Sequence, residues 1–437
     1  MRNAAVTVWL RSVAALVAAL AAMLGGPAGA PAQAASRPPA FLRSCVIDPP
    51  DPAPLFSLPA SGNSAKATSG GSDEEDDDDD TDDDEDEEDE PPRGFVSPGS
   101  GTCISVSGTV NAGIQRDHYR ANALARATGQ VPPSTTSFPL STTFRIETGR
   151  TLADGRYLAS AFEFSFDTNS EGGNDITIGE ASITLGAFAF GLADSRFDFW
   201  TGDEFAFVGR IPSRTVSFIG YERQLTESTS LSLSAEDTSS DQSSSLPRAG
   251  RRLPDAVMRL VYESGDLTVH GAVALREVPR IGAPSLVGRA AILGATWEGS
   301  LLQRPLTLTG QIAGAVNAAP YIGSQLDRRV ALPFLAGDEQ TRGWSGVVSI
   351  GREWTDAWSS NAYLSRYSLS LPRIAGIGGD IRIDRASANV VWSPLKGLRV
   401  GLEASLAWQR IELAGRNLAA SLSGRQRSAQ FFLERVF

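Results

Sequence analysis

The feature that most constrains this chain is a two-residue alternation between apolar and polar side chains along its C-terminal part. In the clearest segment, residues 398–408, one set of alternate positions is apolar and the other carries Arg399 and Glu403. A period of two places these sets on opposite faces of a β-strand. Similar segments recur through residues 102–437, separated by Gly, Asp, Asn and Pro. The alternation therefore predicts strands that separate hydrocarbon on one side from water on the other.

The number of alternating segments predicts how these strands assemble. We expect strands to begin near Cys103, Leu140, Gly155, Asn174, Ala187, Arg214, Ser228, Asp255, Asp266, Leu286, Leu301, Gly343, Thr355, Asp380, Lys396 and Gln426. An even count of about 16 is typical of bacterial outer-membrane barrels, in which the sheet closes on itself. The predicted fold is therefore all-β, a transmembrane antiparallel β-barrel over residues 102–437. A soluble sandwich is the poorer alternative, because it would have to shelter all of these apolar faces inside.

The N-terminus has the three regions of a secretory signal peptide. Arg2 and Arg11 precede or begin an apolar stretch at residues 12–24, and Ala-Gln-Ala at residues 32–34 offers a cleavage site. We therefore predict a signal peptide over residues 1–34. An N-terminal membrane anchor is the alternative, but the apolar core is short for a span. Export combined with a barrel predicts the cell outer membrane as the location.

Residues 35–101 form a low-complexity, acidic N-terminal segment. Within it, 17 of the 18 residues at 73–90 are acidic, and this tract accounts for the net charge of -12, since the rest of the chain is mildly basic. We interpret the tract as a solvated tail, with a sponge for divalent cations as the alternative. Nucleic acid is not an expected partner, because the basic residues are dispersed rather than clustered on a stripe.

The residues that usually carry chemistry are scarce. The chain has two cysteines, Cys45 and Cys103, and two histidines, His118 and His270. An exported protein reaches an oxidising compartment, so we expect a disulfide between the cysteines, with two free thiols as the alternative. No catalytic constellation, metal-ligand spacing or nucleotide fingerprint is present in the sequence. We therefore expect neither an enzyme nor a cofactor or metal site.

Function is expected to lie in charged side chains that face the interior of the barrel. By alternation, the inward set is Glu163, Asp167, Arg259, Glu263, Arg385, Arg399 and Glu403. A second set lies in or beside a long polar connection after the fifth strand, namely Asp194, Arg196, Asp198, Asp203, Glu204, Arg210 and Arg214. Rings of charge in a pore determine which ions pass. An exposed, solvated loop is the alternative for the second set.

Several short segments resemble a known family. Residues 94–103 read Gly-Phe-Val-Ser-Pro-Gly-Ser-Gly-Thr-Cys and lead into a strand that contains Gly108. This segment resembles the opening of the porins of rhizobia and related alphaproteobacteria, in which an earlier cysteine, here Cys45, precedes it. Further similar segments are residues 141–145, 181–186 and 195–200. The resemblance implies a trimeric porin of about 16 strands, with the connection after the fifth strand folded inward as a constriction.

The resemblance also implies a function and partners. We expect a water-filled channel for passive diffusion of small hydrophilic solutes and ions, surrounded by outer-membrane lipid. The alternatives are a substrate-specific outer-membrane channel and a surface adhesin barrel. The terminal Phe437 and the alternation before it resemble the signal that the outer-membrane assembly machinery recognises.

Overall fold

The computed structural model describes residues 44–47, 93–97, 100–124, 134–168, 174–237, 253–280, 283–323, 341–374, 377–415 and 418–437. The predicted signal peptide at residues 1–34 and the acidic tract at residues 73–90 lie outside the described residues. In the described ranges, no helix is both long enough and apolar enough to cross a membrane.

The described residues form one antiparallel sheet of 19 strands. The strands are β1 (Ser44–Val46), β2 (Arg93–Val96), β3 (Cys103–Ala121), β4 (Ser134–Ser137), β5 (Leu140–Thr151), β6 (Tyr157–Thr168), β7 (Asn174–Leu185), β8 (Phe188–Asp194), β9 (Thr215–Thr226), β10 (Thr229–Asp237), β11 (Asp255–Ser264), β12 (Leu267–Arg280), β13 (Ala283–Leu301), β14 (Arg304–Val316), β15 (Arg342–Thr355), β16 (Trp358–Ile374), β17 (Ile377–Leu395), β18 (Leu398–Gly415) and β19 (Leu418–Val436). A single 3₁₀ turn, Ala319–Ile322, lies between β14 and β15 in the described part.

The sheet closes on itself. β19 pairs with β3 from Gly424↔Ala121 to Val436↔Thr109, so the last long strand meets the first. β3 together with β5–β19 makes a closed barrel of 16 strands, while β4 extends the pairing of β3 at one end. The predicted fold is confirmed. Each predicted strand start lies within three residues of the observed one except at β19, which begins eight residues earlier than predicted.

The two faces of the barrel wall differ as the alternation predicts. On β18, Leu402 and Leu406 are 60% and 41% exposed on the outer face, whereas Glu403 between them is 0% exposed on the inner face. Tryptophans flank the outer apolar band toward both ends of the strands, namely Trp297, Trp354, Trp358 and Trp392 toward one end and Trp344 and Trp408 toward the other. Such aromatic girdles mark the two interfaces of a membrane.

The two ends of the barrel have connections of different length. At one end, here called the turn end, tight turns contain Gly186, Gly265 and Gly397 with positive φ, a conformation that glycine adopts without steric cost. At the other, the loop end, residues 195–214, 238–254 and 317–341 make long connections. In bacterial barrels the short turns face the periplasm and the long loops face the exterior.

A disulfide joins an N-terminal hairpin to the barrel. Cys45 and Cys103 are bonded, with Cα atoms 5.8 Å apart, so the predicted pairing is confirmed. β1 pairs with β2, and β2 pairs with β3 through Phe95↔Ile104 and Val96↔Cys103. The predicted boundary at residue 102 thus differs from the structure, because β3 extends past the last residue of β19 and leaves a free edge on which β2 adds.

Replacing Cys103 by serine is expected to release the N-terminal hairpin while the barrel stays closed. The cross-link encloses 58 residues, and the loop-closure model attributes about 4 kcal/mol to a cross-link of that size. Limited proteolysis should then cleave the variant near Gly94 faster than the wild type, with heat-modifiable gel migration unchanged. Ser105→Ala, which changes a buried neighbour on the same face of β3, is the matched control. Equal protection of all three proteins would contradict the prediction.

Candidate constriction inside the barrel

The connection between β8 and β9, residues 195–214, lies inside the barrel and is here called the inner loop. The backbone N–H of Trp200 donates a hydrogen bond to Gln311 Oε1 on β14 at 2.9 Å. Further along, Asn389 Nδ2 on β17 donates to the carbonyl oxygen of Glu204 at 2.6 Å. Because β14 and β17 are both distant from β8 around the barrel, the loop extends across the interior rather than over the outer surface.

Glu403 on β18 holds the tip of the inner loop. Its two carboxylate oxygens accept the N–H groups of Ala206 and Phe207 at 2.7 and 3.0 Å. Ser387 Oγ on β17 also donates to Glu403, at 2.7 Å. Hydrogen bonds to a carboxylate are roughly twice as strong as neutral ones, so Glu403 fixes the height of the tip in the barrel.

The base of the inner loop is fixed by a second buried carboxylate. Glu236 on β10 is 0% exposed and accepts hydrogen bonds from Ser195 Oγ at 2.7 Å and from the N–H of Arg196 at 3.0 Å. On the other side of the base, the N–H of Arg214 donates to Asp198 Oδ2 at 2.6 Å. The loop therefore leaves and re-enters the wall with a defined geometry.

Aromatic packing fills the space between the inner loop and the wall. Phe205 packs edge-on against Tyr363 of β16 with ring centroids 4.7 Å apart, and Trp200 packs against the same ring at 5.6 Å. The Tyr363 hydroxyl donates a hydrogen bond to the carbonyl oxygen of Phe207. Nearer the base of the loop, Phe197 packs against Tyr321 with ring centroids 4.8 Å apart. These contacts exclude water from the side of the barrel that the loop covers.

The predicted residues of the inner loop divide into two groups. Arg196, Asp198 and Arg214 are buried between the loop and the wall, so they stabilise the loop and do not face the water-filled space, contrary to their predicted place at the pore. Their burial has a physical cause, since both guanidinium groups stack on aromatic rings. The guanidinium carbon of Arg214 lies 3.8 Å from the centroid of the Tyr321 ring, and that of Arg196 lies 4.6 Å from the centroid of the Phe218 ring.

The second group, Asp194, Asp203, Glu204 and Arg210, is less buried than the first. Asp203 is exposed and accepts a hydrogen bond from Thr201 Oγ1 at 2.7 Å. Glu204 is half-buried and accepts a hydrogen bond from Trp200 Nε1 at 3.0 Å. Asp194, at the end of β8, and Arg210 are also half-buried. Asp203 therefore presents its charge to water more fully than the other acids of the loop.

Burial changes the proton affinity of the loop carboxyls. Desolvation raises the pKa of Asp198 to about 8, although the nearby Arg214 opposes the shift. Desolvation also raises the pKa of Glu204, and the hydrogen bond from Trp200 partly opposes it.

The wall on β5, β6 and β7, next to the strand from which the inner loop leaves, carries a cluster of charge. Arg145 forms ion pairs with Glu147 at 2.8 Å, Glu163 at 3.0 Å and Glu180 at 2.8 Å. Asp167 lies on the same inner face of β6. We call this group, Arg145, Glu147, Glu163, Asp167 and Glu180, the acidic wall, because one cation faces four carboxylates.

The remaining predicted residues lie on the inner face of the barrel. Arg259 is half-buried, with its guanidinium 4.0 Å from the Glu222 carboxylate, and Glu263 is exposed further along the same strand. Arg399 pairs with Glu434 at 2.8 Å, and Arg385 is half-buried on β17.

Sequence reasoning missed a set of inner charges, namely Asp117, Arg145, Glu147, Glu180, Glu222, Glu236, Asp255, Arg276 and Glu434. The alternation of their strands was the signal that could have found most of them. With these included, acids outnumber bases on the inner face of the described strands.

Comparison with known proteins agrees with this architecture. The outer membrane channel DcaP of Acinetobacter baumannii superposes with a TM-score of 0.60 at 16% identity, covering 79% of this chain and 99% of that one. The anion-selective porin from Comamonas acidovorans superposes with a TM-score of 0.51 at 11% identity, covering 77% of this chain and 100% of that one. Among curated proteins, none matches the sequence.

The sequence itself matches one family over most of its length. Residues 93–414 match the porin subfamily, and this range begins at β2 and ends within β18. The inner loop and every barrel strand except β19 lie in the matched range, whereas Cys45 lies before it. The chain therefore belongs to the porin subfamily, whose place is the outer membrane and whose action is passive diffusion of small solutes through a β-barrel channel.

Proposed function

We propose that this porin admits small hydrophilic solutes with a preference for cations, through an opening between the inner loop and the acidic wall. The observation that carries the proposal is the excess of carboxylates around that opening. The acidic wall carries Glu147, Glu163, Asp167 and Glu180 against the single Arg145, and Asp203 projects from the loop. Fixed negative charge along an aqueous path lowers the energy of cations and raises that of anions.

The sign of this preference distinguishes the chain from one of its structural relatives. The Comamonas protein is an anion-selective porin, and its likeness to this chain, at 11% identity, concerns the fold. Selectivity depends on the side chains that line the path, which differ between proteins that share a fold. The lumen charges of this chain favour cations.

We further propose that the protein is a homotrimer and that copies meet through the outer faces of β5–β8. Aromatic side chains concentrate there: Phe162, Phe188 and Phe190 are exposed, and Phe164 packs against Phe144 with ring centroids 5.5 Å apart. Rigid aromatic side chains supply large contact areas between copies.

The specific relationship to rhizobial-type porins is likewise a proposal, supported by the N-terminal motif at residues 94–103.

Recognition of the C-terminus by the outer-membrane assembly machinery is also proposed. Phe437 is 56% exposed, and its backbone exchanges two hydrogen bonds of 3.0 Å with Gly108 on β3. The terminal residue therefore continues the β19–β3 ladder, and its ring lies beside Gly108 on the outer face near the turn end. An exposed ring at the last position supports a role as a recognition signal.

Replacing Asp203 by asparagine is expected to shift ion selectivity toward anions. A unit charge about 6 Å from a passing ion in a water-like medium contributes about 0.7 kcal/mol. That energy corresponds to about a threefold change in the occupancy of K⁺ at the site. Adding Glu204→Gln should change selectivity further but by less, because the Glu204 carboxyl is packed against Trp200.

The measurement is the reversal potential of single channels under a KCl gradient. Asp356→Asn is the matched control, since it removes the same charge from an exposed turn-end residue that pairs with Arg304 outside the lumen. A reversal potential that stays at the wild-type value in Asp203→Asn would remove this residue from the ion path.

A further inference from the structure

Basic side chains form a patch on the outer face of the barrel at the loop end of β3 and β19. The patch consists of Arg116, His118, Arg120, Arg425 and Arg427. Its outward direction follows from the residues between them on the two strands.

Those intervening residues point inward and bond to one another. Asp117 is 3% exposed and accepts hydrogen bonds from Gln115 Nε2 at 2.7 Å and from Gln426 Nε2 at 3.1 Å. Ser428 donates to the same carboxylate. Successive side chains of a strand point to opposite faces, so the basic residues project away from the lumen.

The register places two arginines of the patch directly opposite each other. Arg120 faces Arg425 across the strand pair, and His118 faces Arg427. Directly opposed side chains have Cβ atoms about 4.5–5.5 Å apart, and like charges at that distance destabilise a sheet. Such an arrangement becomes favourable when an anion lies between the two cations.

The anion is not supplied by the described part of the chain. Arg116 Nη1 donates to Thr136 Oγ1 at 3.2 Å, and Arg120 Nε donates to His118 Nε2 at 3.4 Å. Among the residues that the structure describes, none of the four arginines is within ion-pair distance of a carboxylate. The patch therefore carries positive charge that its own fold leaves uncompensated there.

The position of the patch along the barrel identifies the compartment of the missing anion. On the same two strands, the next pair of outward-facing residues toward the middle of the membrane is Ile114 and Phe431. Both are apolar, and each side chain is about half exposed. Trp408 faces Arg425 from β18 and belongs to the aromatic girdle of the loop end. The arginines thus begin where the hydrocarbon band ends, on the exterior side, which is the level of the outer-leaflet headgroups.

We propose that this patch binds the phosphate groups of a phosphorylated outer-leaflet lipid, with the lipid chains lying against Ile114 and Phe431. A guanidinium matches a phosphate group bidentately and keeps its charge at all relevant pH values. In a cyclic trimer the contact between copies is heterologous, so a different part of the outer wall would have to bring carboxylates to this patch. The outer acids Asp384 and Glu412 are already paired with Arg366 and Arg410.

The test is equilibrium binding of diphosphoryl lipid A to the purified full-length protein in detergent, compared with the same lipid after removal of its phosphates. We expect the wild type to prefer the phosphorylated form. The double variant Arg120→Gln/Arg425→Gln should lose affinity by at least about tenfold, because each guanidinium–phosphate contact is charge-assisted. Arg352→Gln, which changes an arginine that stacks on Trp354 at the turn end, should bind as the wild type does.

Three results would overturn the proposal. Equal binding of the dephosphorylated lipid would show that phosphate is not recognised. Displacement of the lipid by inorganic phosphate, mole for mole, would show an anion site with no lipid component. A double variant that loses its oligomeric state but retains lipid binding would assign the patch to contacts between copies. Unchanged heat-modifiable migration and single-channel conductance establish that the variants are folded.

Discussion

Replacing Glu403 by alanine should raise the single-channel conductance, because the tip of the inner loop loses its attachment to the wall. The variant removes the acceptors of the Ala206 and Phe207 N–H groups, at 2.7 and 3.0 Å. Two hydrogen bonds to a charged group are worth about 3 kcal/mol or more. A loss of that size lowers the ratio of attached to detached tip by a factor of about 100. The cross-section of the channel that is open to ions then increases.

The direction of the change separates attachment from charge. Removing an acid from a cation-preferring lumen would by itself lower the current carried by K⁺, so a higher conductance can come only from the loop. Glu434→Gln is the matched control, since it removes the same charge from β19, where Glu434 pairs with Arg399 rather than with the loop. Glu403→Gln retains one acceptor oxygen and should give an intermediate conductance. If Glu403→Ala conducts no better than Glu434→Gln, Glu403 does not hold the constriction.

The barrel could be predicted from the sequence because lipid and water impose a two-residue period on every strand inside the membrane. The one large discrepancy, at β19, has the same cause. In the eight residues before the predicted start near Gln426, the outer-face positions include Ser421, Ser423 and Arg425, so no apolar alternation marks this part of the strand. Beyond the hydrocarbon layer the outer face of a strand no longer has to be apolar, so the alternation of apolar and polar residues ends there. The backbone hydrogen bonds between β18 and β19 continue past that point.

The constriction could be predicted only in part. The sequence identified the polar connection at residues 195–214 and the inward charges Glu163 and Glu403, since these follow from strand parity. It did not indicate which loop charges are buried, because burial of Asp198 and Arg214 depends on Tyr321, more than 100 residues away in the chain.

The acidic wall shows a second limit of sequence reasoning. Gly179 lies in a bulge between the pairs Glu163↔Glu180 and Phe164↔Ile178, and the extra residue reverses the parity of β7. A strict alternation through β7 therefore assigns Glu180 to the wrong face. Three carboxylates meet at Arg145 because of this bulge, which a single sequence gives no means of locating.

Replacing Arg145 by glutamine should therefore make the channel much more selective for cations. The variant leaves Glu147, Glu163 and Glu180 without the cation that lies 2.8–3.0 Å from each of them. A unit charge about 6 Å from the ion path contributes about 0.7 kcal/mol for K⁺ and an equal, opposite amount for Cl⁻. The permeability ratio of K⁺ to Cl⁻ should rise by up to about tenfold, measured from reversal potentials.

Two further variants serve as controls if the unpaired carboxylates of Arg145→Gln weaken the barrel. Arg145→Lys retains the charge and should keep the wild-type selectivity, whereas Arg304→Gln, outside the lumen, should leave the ratio unchanged. Carboxylates that have lost their arginine should bind a hard divalent cation, since oxygen ligands suit Mg²⁺. Added Mg²⁺ should consequently lower the cation preference of Arg145→Gln toward that of the wild type, with little effect on the wild type itself. Selectivity in Arg145→Gln equal to that in Arg145→Lys would mean that the ion path does not pass the acidic wall, and the proposed route between that wall and Asp203 would have to be abandoned.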